Sequence, residues 1–375
     1  MRSFMDKIKS VLVLFGGVST EHKISCRSAR TIIQGLKNVG YDVNAVGITL
    51  DGEWVPFLAE LDNIVADNWV ELAKATLEEQ GFAEATRADL SSPKAFLTYH
   101  AGGNTPDVVF NAMHGINSED GVIQGFLETT GFPYTGSDVL SSAVSMDKAF
   151  TKLVLNNTDV PQLDFILAER HVINSDIEVL VNAVEKKFGY PVFLKPANGG
   201  SSVGTYKVDS DVELRESLLE ACHYDNKILI EPFYDAREIE VAVLGNKNPR
   251  VALPGEIIMD ADVEYYDYET KYINTDSSLA IPADLRPETI DKLQRYAEEV
   301  YTILACDGYA RVDFFVANDE SEIFFNEINT LPGFTSISLF PSAWAKEGYS
   351  LEDLLRTICE LAYNAHEDGK KKTDV

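Results

Sequence analysis

Cysteine pairs and long apolar runs are the first features that this 375-residue chain lacks. Its cysteines, Cys26, Cys222, Cys306 and Cys359, lie far apart and form no Cys-x-x-Cys pair, which argues against a zinc site and suits free thiols in a reducing cytoplasm. No stretch approaches the roughly 20 apolar residues of a transmembrane helix. The apolar run at residues 11–15 stops at two glycines without a small-residue cleavage site, so we expect a cytoplasmic protein with no signal peptide.

Positive charge is also scarce. The chain has 32 Lys and Arg residues against 60 Asp and Glu residues, which gives a formal net charge of −28. A surface of that sign repels nucleic acid and anionic membranes, so we expect neither as a partner. An anionic substrate would need its own local cluster of Lys and Arg. The length and the apolar fraction of 45% are those of a globular protein with two or three domains.

The first third of the chain alternates between strand and helix patterns. Apolar runs at residues 11–15, 43–48 and 107–113 are typical of buried strands, and residues 21–36 have helical spacing. Residues 58–104 are polar and only weakly patterned. The alternation predicts a small, open, largely parallel α/β sheet.

Two further helices are predicted after this alternation. Ser118 can cap a helix whose first turn holds two acids, which favours a helix N-terminus. One long helix is expected over residues 139–155, and the turn-rich segment 156–161 that follows is a candidate boundary. Together the patterns indicate three blocks, at residues 1–140, 141–240 and 241–375.

Two acidic residues are predicted to face each other across a hairpin near the C-terminus. β-branched and aromatic runs on either side of a short polar segment indicate this hairpin. If it folds about position 320, Asp313 lies opposite Glu327 and Arg311 lies opposite Asn329, all on one face. Opposed carboxylates repel each other, whereas a hard cation such as Mg²⁺ would bind both. A solvated face with chance acids is the alternative.

Two lysines are candidates for binding phosphate groups. Lys195 precedes a loop that reads Pro-Ala-Asn-Gly-Gly-Ser-Ser-Val-Gly, and the backbone N–H groups of such loops can cradle phosphate oxygens. A plain hairpin loop is the alternative, because no Walker A motif follows. Lys148 is either a second phosphate ligand or a surface lysine. Glu231, which precedes Pro-Phe-Tyr, either meets an adenine base or is a solvated residue at a strand end.

Four other segments carry candidate ligands for an organic substrate. Glu21 lies at a strand-to-helix junction, where it could hold an ammonium group or merely suit the helix N-terminus. His114 ends another strand and is either a ligand or a satisfied core histidine. Gly333 could present its N–H to an oxyanion, with Arg311 supplying positive charge. The tyrosine-rich segment 265–272 is predicted to be a lid or a mobile surface loop.

The order of these segments resembles that of the D-alanine–D-alanine ligase family of ATP-grasp enzymes, over roughly residues 10–360. The resemblance implies a mixed α/β (α+β) fold with three-domain ATP-grasp architecture, an N-terminal open parallel α/β domain, and a homodimer. Seven segments in one order carry it: Leu14-Phe-Gly-Gly-Val-Ser-Thr-Glu-His, His114-Gly-Ile-Asn-Ser-Glu-Asp-Gly, Ser145-Met-Asp-Lys, the glycine loop from Lys195, Lys271-Tyr272, Ala310-Arg-Val-Asp, and Asn326-Glu-Ile-Asn-Thr-Leu-Pro-Gly-Phe-Thr.

The resemblance implies ATP as a substrate, together with two Mg²⁺ ions that Mn²⁺ could replace. Asp313, Glu327 and Asn329 would bind the ions, with Glu327 bridging them. Lys148 and Lys195 would bind phosphates. The remaining nucleotide contacts would come from Ser202, Val203, Glu231, Phe233, Tyr234, Glu238 and Lys271.

The resemblance also implies that D-alanine is the other substrate besides ATP, and that two molecules of it bind. Glu21 would bind the ammonium group of the first D-alanine, with His114 and Lys271 nearby, while Ser338 and Leu339 would fix the carboxylate of the second. A hydrogen-bonded set would close the lid over both, and its members would be Glu21, Ser201 and Tyr272.

The implied reaction passes through an acyl phosphate and yields D-alanyl-D-alanine for peptidoglycan precursors. Arg311 and the Gly333 N–H would meet the tetrahedral oxyanion formed when the second amine attacks. Ser118 stands where the family usually has glycine, so the backbone angles at this position are expected to differ from those of the family. Two alternatives stay open: an ATP-grasp ligase with D-serine, D-lactate or another carboxylate–amine pair, and a non-catalytic ATP-binding module.

Overall fold

Three β-sheets flanked by helices form the framework of the protein. The computed structural model describes residues 7–258, 278–335 and 337–370. The mixed α/β class predicted from the sequence is confirmed. Within the described ranges, no helix combines the length and the apolar character needed to cross a lipid bilayer.

The N-terminal sheet is short and largely parallel, as predicted. Its strands are β1 (Ser10–Gly16), β2 (Asp42–Ile48), β3 (Trp54–Pro56) and β4 (Val108–Asn111), in the order β3-β2-β1-β4. β1 runs parallel to β2 and β4, and only β3 at the edge is antiparallel. Because both faces of β1 are covered, its sequence is a continuous apolar run rather than an alternating one.

The helices around this sheet include two that the sequence pattern missed. The helix predicted at residues 21–36 is α1 (His22–Val39). Within residues 58–104, a 3₁₀ turn at Leu61–Val65 precedes α2 (Trp69–Glu79) and α3 (Pro93–His100). Each of the last two helices buries only two residues, so neither has the long apolar stripe that makes a helix recognisable from sequence.

The prediction that Ser118 caps the next helix is wrong. That helix, α4 (Val122–Thr130), begins three residues later, and its N-cap is Gly121 with a φ of 91°. Ser118 is buried, and its backbone carbonyl accepts a hydrogen bond from Gln124 Nε2 at 2.9 Å. The left-handed residue in this turn is Asn117, with a φ of 65°, so serine in place of the family's glycine causes no strain at position 118.

The single long helix predicted over residues 139–155 is two helices, α5 (Val139–Met146) and α6 (Lys148–Leu155). Asp147 separates them with an extended backbone, and its side chain caps α6 by accepting a hydrogen bond from the Phe150 N–H at 3.0 Å. The other carboxylate oxygen pairs with Lys227. This break places Lys148 at the first turn of α6, facing the glycine loop.

The second sheet is antiparallel throughout. Its strands are β5 (Ile166–Glu169), β6 (Val192–Pro196), β7 (Tyr206–Val208) and β8 (Lys227–Pro232), in the order β5-β8-β6-β7. Two helices cover it, α7 (Arg170–Lys187), which is interrupted by non-helical angles at Asp176, and α8 (Asp211–Ala221). The glycine loop connects β6 and β7.

The third sheet is also antiparallel and contains the predicted hairpin. Its strands are β9 (Arg237–Leu244), β10 (Arg250–Val251), β11 (Gly255–Ile258), β12 (Ser278–Ala280), β13 (Tyr309–Val316) and β14 (Ile323–Asn329). Their central order is β12-β11-β9-β13-β14, and β10 pairs with β9. One face packs on α9 (Pro287–Ile303), and the other face lines the cleft described below.

The chain returns to the N-terminal sheet after β14. The last helices, α10 (Leu339–Lys346) and α11 (Leu351–Gly369), share one apolar core with β1 and β4. Phe334 lies at its centre, with its ring 6.3 Å from Phe110 and 5.6 Å from Phe340. This packing fixes the loop between β14 and α10 against the carboxyl ends of β1 and β4, where ligands bind in open α/β sheets.

Candidate active site

The predicted register of the hairpin is confirmed. β13 and β14 are antiparallel, with Asp313 paired with Glu327 and Arg311 paired with Asn329. The residues between them face an apolar core, so these four polar side chains share the face that lines the cleft. A solvated surface with chance acids is therefore not the environment of this pair.

A β-bulge beside the acid pair adds one residue that the sequence did not predict. The register shifts by one residue, so that Phe314 pairs with Phe325 and leaves Asn326 as the extra residue of β14. Asn326 and Glu327 consequently both face the cleft, whereas a regular strand would send one of them to the core. Asn326 Oδ1 accepts a hydrogen bond from Lys195 Nζ at 2.9 Å.

A third carboxylate extends the acid pair into a row. Glu240 on β9 pairs with Asp313 on the side away from Glu327. Arg311 donates from Nε and Nη2 to both oxygens of Asp313, at 2.7 and 2.6 Å, and its Nε lies 3.2 Å from Glu240 Oε2. Burial alone would lower the pKa of Arg311, but the charges of Asp313 and Glu240 outweigh it and raise that pKa. The guanidinium is therefore a fixed positive charge.

Lys195 is held by a buried acid as well as by Asn326. Its Nζ lies 2.9 Å from Glu231 Oε2, and the other oxygen of Glu231 pairs with the buried Lys152. Burial alone would raise the pKa of Glu231, but Lys195 and Lys152 together lower it to about 2. Glu231 is thus ionised and enclosed, and the alternative of a solvated residue at a strand end is wrong.

Lys148 faces the glycine loop rather than the solvent. Its Nζ donates to the Gly199 carbonyl at 2.7 Å and lies 3.0 Å from Glu327 Oε2. In the same loop, Ser201 and Ser202 have φ values of 52° and 58°, in the left-handed region that non-glycine residues rarely adopt. Two successive residues in this conformation indicate a loop whose shape is imposed by its surroundings, as at many ligand sites.

Glu21 contacts the glycine loop at Ser201, whereas Lys148 contacts it at Gly199. Glu21 occupies the position before α1, but its side chain makes no capping hydrogen bond and instead accepts one from the Ser201 hydroxyl. Glu119 is buried nearby and accepts a hydrogen bond from the Gly115 N–H at 2.8 Å. Burial and the charge of Glu21 raise the pKa of Glu119 to about 8. This acidic corner would attract an ammonium group.

His114 connects the N-terminal sheet to the loop after β14. Because a carbonyl can only accept, its Nδ1–H donates to the Leu331 carbonyl at 2.9 Å, and its Nε2 accepts from the Ser28 hydroxyl at 2.9 Å. Ser28 Oγ in turn accepts from the Phe334 N–H at 3.2 Å. Burial lowers the pKa of His114 to about 4, so the ring is neutral. His114 therefore positions the loop, although it also lines the cleft.

The loop after β14 presents backbone groups and small side chains to the cleft. Ser338 Oγ accepts from the Thr335 N–H at 3.0 Å, and a Cβ at Gly333 would lie only 3.0 Å from that oxygen. Leu339 begins α10, and its side chain packs against Gly255, where a Cβ would lie 2.6 Å away. Ser338, Leu339 and Phe340, at the start of α10, line the cleft, and a helix N-terminus favours a carboxylate.

A large cavity of about 730 Å³ lies between the second and third sheets. That volume is in the range of sites for nucleotide-sized ligands. On its outer rim, Lys207 Nζ lies 4.7 Å from the centre of the Phe233 ring, and the Tyr234 hydroxyl donates to Glu322 at 2.9 Å. The cavity is lined by the predicted residues Lys148, Lys195, Ser202, Val203, Glu231, Phe233, Tyr234 and Glu238.

A smaller cavity of about 110 Å³ lies against the N-terminal sheet, and the two cavities share a wall. The smaller one is lined by the predicted residues Glu21, His114, Gly333, Ser338 and Leu339. The shared wall consists of Lys148, residues 199–201, Glu240, Ile257, Arg311 and Glu327. A small organic acid and a nucleotide would meet at this wall.

The donors for a divalent cation are oxygen atoms at the same place. Asp313, Glu327 and Asn329 supply two carboxylates and one amide on adjacent strands. In the described part of the chain, no three His, Cys, Asp or Glu side chains are grouped so that they could hold a metal ion by themselves. A set of two acids and an amide leaves positions for water and phosphate oxygens, which is how Mg²⁺ is usually bound. The residues fit that ion.

Sequence reasoning missed several of the residues gathered here. Glu240 had a weak signal, because an acid two positions from Glu238 on a strand shares its face. Lys152 and Asn326 had none, since their partners come from distant segments. Two predicted residues, Lys271 and Tyr272, lie outside the described residues.

Comparisons with known families agree with the motif order. The model of the D-ala D-ala ligase N-terminus matches residues 10–137, and that of the D-ala D-ala ligase C-terminus matches residues 154–360. A D-alanine–D-alanine ligase of Acetivibrio thermocellus is 42% identical, covering 99% of this chain and 100% of that protein. One of Clostridium acetobutylicum is 43% identical, covering 94% and 98%.

Solved structures give the same result. The D-alanine–D-alanine ligase of Coxiella burnetii superimposes with a TM-score of 0.77 at 31% identity, covering 96% of each chain. The VanG D-Ala:D-Ser ligase of Enterococcus faecalis gives a TM-score of 0.78 at 30% identity, covering 95% of this chain and 99% of that one. On its motifs, its fold and these comparisons, the chain belongs to the D-alanine–D-alanine ligase family of ATP-grasp enzymes.

Proposed function

We propose that this protein joins two D-alanines into D-alanyl-D-alanine with the conversion of ATP to ADP, a step that supplies peptidoglycan precursors. The observation that carries the proposal is the shared wall between the two cavities, where Lys148, Arg311 and Glu327 separate an amino-acid-sized space from a nucleotide-sized one. Family membership supports the same activity.

Two divalent cations would be held by Asp313, Glu327 and Asn329, with Glu327 bridging them, and Mn²⁺ could replace Mg²⁺. When bound, the ions neutralise charge on the phosphates during transfer. Asn329 Nδ2 lies 3.2 Å from an oxygen of Asp313, so the amide and the carboxylate are already adjacent. The proposed cation site is supported by the oxygen atoms of these three side chains and by the pairing of Asp313 with Glu327 across the hairpin.

The nucleotide would lie in the large cavity. Lys148 and Lys195 would hold its phosphates with the backbone of the glycine loop, including Ser202 and Val203. Lys195 is pre-positioned by Glu231 and Asn326, so little side-chain entropy is lost on binding. The base and the ribose would contact Glu231 and Glu238, with Phe233 and Tyr234 at the rim.

The amino acids would lie in the small cavity. Glu21 would hold the ammonium group of the first D-alanine and thereby direct its carboxylate toward the shared wall. Ser338 and the N-terminus of α10 at Leu339 would fix the carboxylate of the second. An oxygen of the first D-alanine's carboxylate would attack the γ-phosphorus of ATP, and ADP would leave. The amine of the second D-alanine would then attack the acyl carbon, the resulting oxyanion would meet Arg311 and the Gly333 N–H, and phosphate would leave.

Exclusion of water is the remaining requirement, because an acyl phosphate hydrolyses. Ser201 in the glycine loop donates a hydrogen bond to Glu21, and both residues line the small cavity. Lys271 and Tyr272 would complete this closure.

The test is ADP release by the purified protein with ATP, Mg²⁺ and D-alanine, combined with the mass of the product. We expect one ADP for each D-alanyl-D-alanine. Parallel reactions that add D-serine or D-lactate measure the second-substrate preference, for which the similarity to a D-Ala:D-Ser ligase is the motive. ADP release that does not depend on D-alanine would contradict the proposal.

A further inference from the structure

We propose that Glu240 is a positioning residue that receives the Arg311 guanidinium when Asp313 binds a divalent cation. This inference rests on the proposed function, because it assigns Asp313 to the metal and Arg311 to the reacting oxyanion. Glu240 is outside the motifs that carry the family resemblance.

The need for such a residue follows from the contacts of Asp313. Both of its oxygens accept hydrogen bonds from Arg311, at 2.7 and 2.6 Å. A divalent cation on the same carboxylate would stand next to the guanidinium, and two cations that close repel each other strongly in a buried site. Metal binding at Asp313 is therefore favoured when Arg311 moves at least part of the way off this carboxylate.

Arg311 is mostly enclosed, with its side chain 21% exposed, and this limits where the guanidinium can go. A guanidinium that loses its only counter-charge inside a protein is costly, whereas one that moves between two carboxylates stays paired. Glu240 is 8% exposed, its Oε2 already lies 3.2 Å from Arg311 Nε, and it stands across β13 from Glu327. Glu240 therefore lies on the opposite side of β13 from Glu327, which with Asp313 forms the pair of acids proposed to bind the metal ions.

The direction of that shift suits the chemistry. Glu240 and Arg311 both line the wall shared by the two cavities, so an arginine drawn toward Glu240 remains at the point where the amino acid and the nucleotide meet. Glu240 itself would not bind the ion.

The experiment is a double-mutant cycle read by Mn²⁺ binding. Glu240→Gln and Arg311→Met are made singly and together, and the Mn²⁺ dissociation constant of each protein is measured by electron paramagnetic resonance at moderate salt. We expect Glu240→Gln to weaken Mn²⁺ binding about tenfold, the usual size of a lost charge-assisted hydrogen bond. In the Arg311→Met background, the same change should weaken binding less than about threefold, because no guanidinium remains to be relocated.

Other outcomes would overturn the inference. If Glu240→Gln weakens Mn²⁺ binding equally in both backgrounds, Glu240 acts as a metal ligand or only through the electrostatic effect of its charge. If it weakens Mn²⁺ binding in neither, Glu240 has no role in metal binding. Glu298→Gln, on the exposed face of α9, measures the effect of removing a remote charge. If Glu240→Gln does not fold, Glu240→Asp replaces it in the cycle and should give an intermediate loss that also depends on Arg311.

Failure of the proposed function would be seen separately. The wild-type protein either forms the dipeptide or does not, whatever the Mn²⁺ cycle shows. Coupling without dipeptide formation would keep the assignment of Glu240 and remove the proposed reaction, whereas dipeptide formation without coupling would do the opposite.

Discussion

Replacing Glu327 by glutamine is expected to lower kcat at least about a hundredfold, which corresponds to about 3 kcal/mol of transition-state stabilisation. Glu327 faces Asp313 across the hairpin and also pairs with Lys148 Nζ at 3.0 Å. A neutral amide of the same size would weaken both metal positions and release the lysine that faces the glycine loop. The loss comes from charge rather than from packing, because glutamine preserves the shape of the side chain.

Steady-state ADP release at saturating D-alanine measures this effect, and Mn²⁺ binding in the presence of ADP shows its cause. The bound Mn²⁺ should fall from two ions per chain to one or fewer. Glu298→Gln is the matched control, since it removes the same charge from the exposed face of α9. A Glu327→Gln protein with more than about a tenth of the wild-type kcat would exclude Glu327 as the bridging ligand.

Arg311→Met should have a comparable effect on kcat through a different step. A donor that meets an oxyanion only in the transition state is worth about 10²–10³ in kcat. Because the interaction is absent in the ground state, kcat and kcat/KM should fall together while the KM for D-alanine changes little. The variant should also bind Mn²⁺ at least as tightly as the wild type, since Arg311 no longer competes for Asp313.

This separation of metal binding from catalysis is the informative result. Arg295→Met, on the exposed face of α9, controls for loss of a remote positive charge. If Arg311→Met instead weakens Mn²⁺ binding and raises the KM for ATP, then Arg311 serves the nucleotide and metal site, and its assignment to the oxyanion is wrong.

The hairpin illustrates what was predictable from sequence. Alternation on both strands and a short polar turn were enough to pair Asp313 with Glu327, because a slip of one residue would turn an apolar side chain into the cleft. The bulge at Asn326 was not predictable. The bulge turns the Asn326 side chain toward the cleft, where it contacts Lys195 on another sheet. A contact between segments so distant in sequence leaves no local pattern.

The helices show a similar limit. Residues 139–155 have continuous helical spacing, and the local mark of the break is Asp147 alone, a residue type that often caps helices. The break is stabilised by the cap on α6 and by the ion pair with Lys227, which is distant in sequence. Likewise, α2 and α3 each bury only two residues, so their sequences carry little of the apolar stripe that predicts a helix.

The candidate site follows the same division. Glu21, Lys195 and Asp313, which belong to recognisable motifs, line the two cavities. Their positioning partners, such as Lys152 and Glu240, were missed, because a buried ion pair is defined by the fold rather than by spacing. The domain boundaries and the homodimer that the resemblance implies stay predictions.

The most direct measurement of the central claim follows oxygen from D-alanine to phosphate. If ATP activates the carboxylate of the first D-alanine, one of its oxygens attacks the γ-phosphorus, and attack by the second amine then expels phosphate with that oxygen. D-Alanine labelled with ¹⁸O in its carboxylate should therefore transfer one ¹⁸O to inorganic phosphate for each dipeptide formed. Phosphate without ¹⁸O, alongside ADP release, would show that water attacks ATP and would contradict the account.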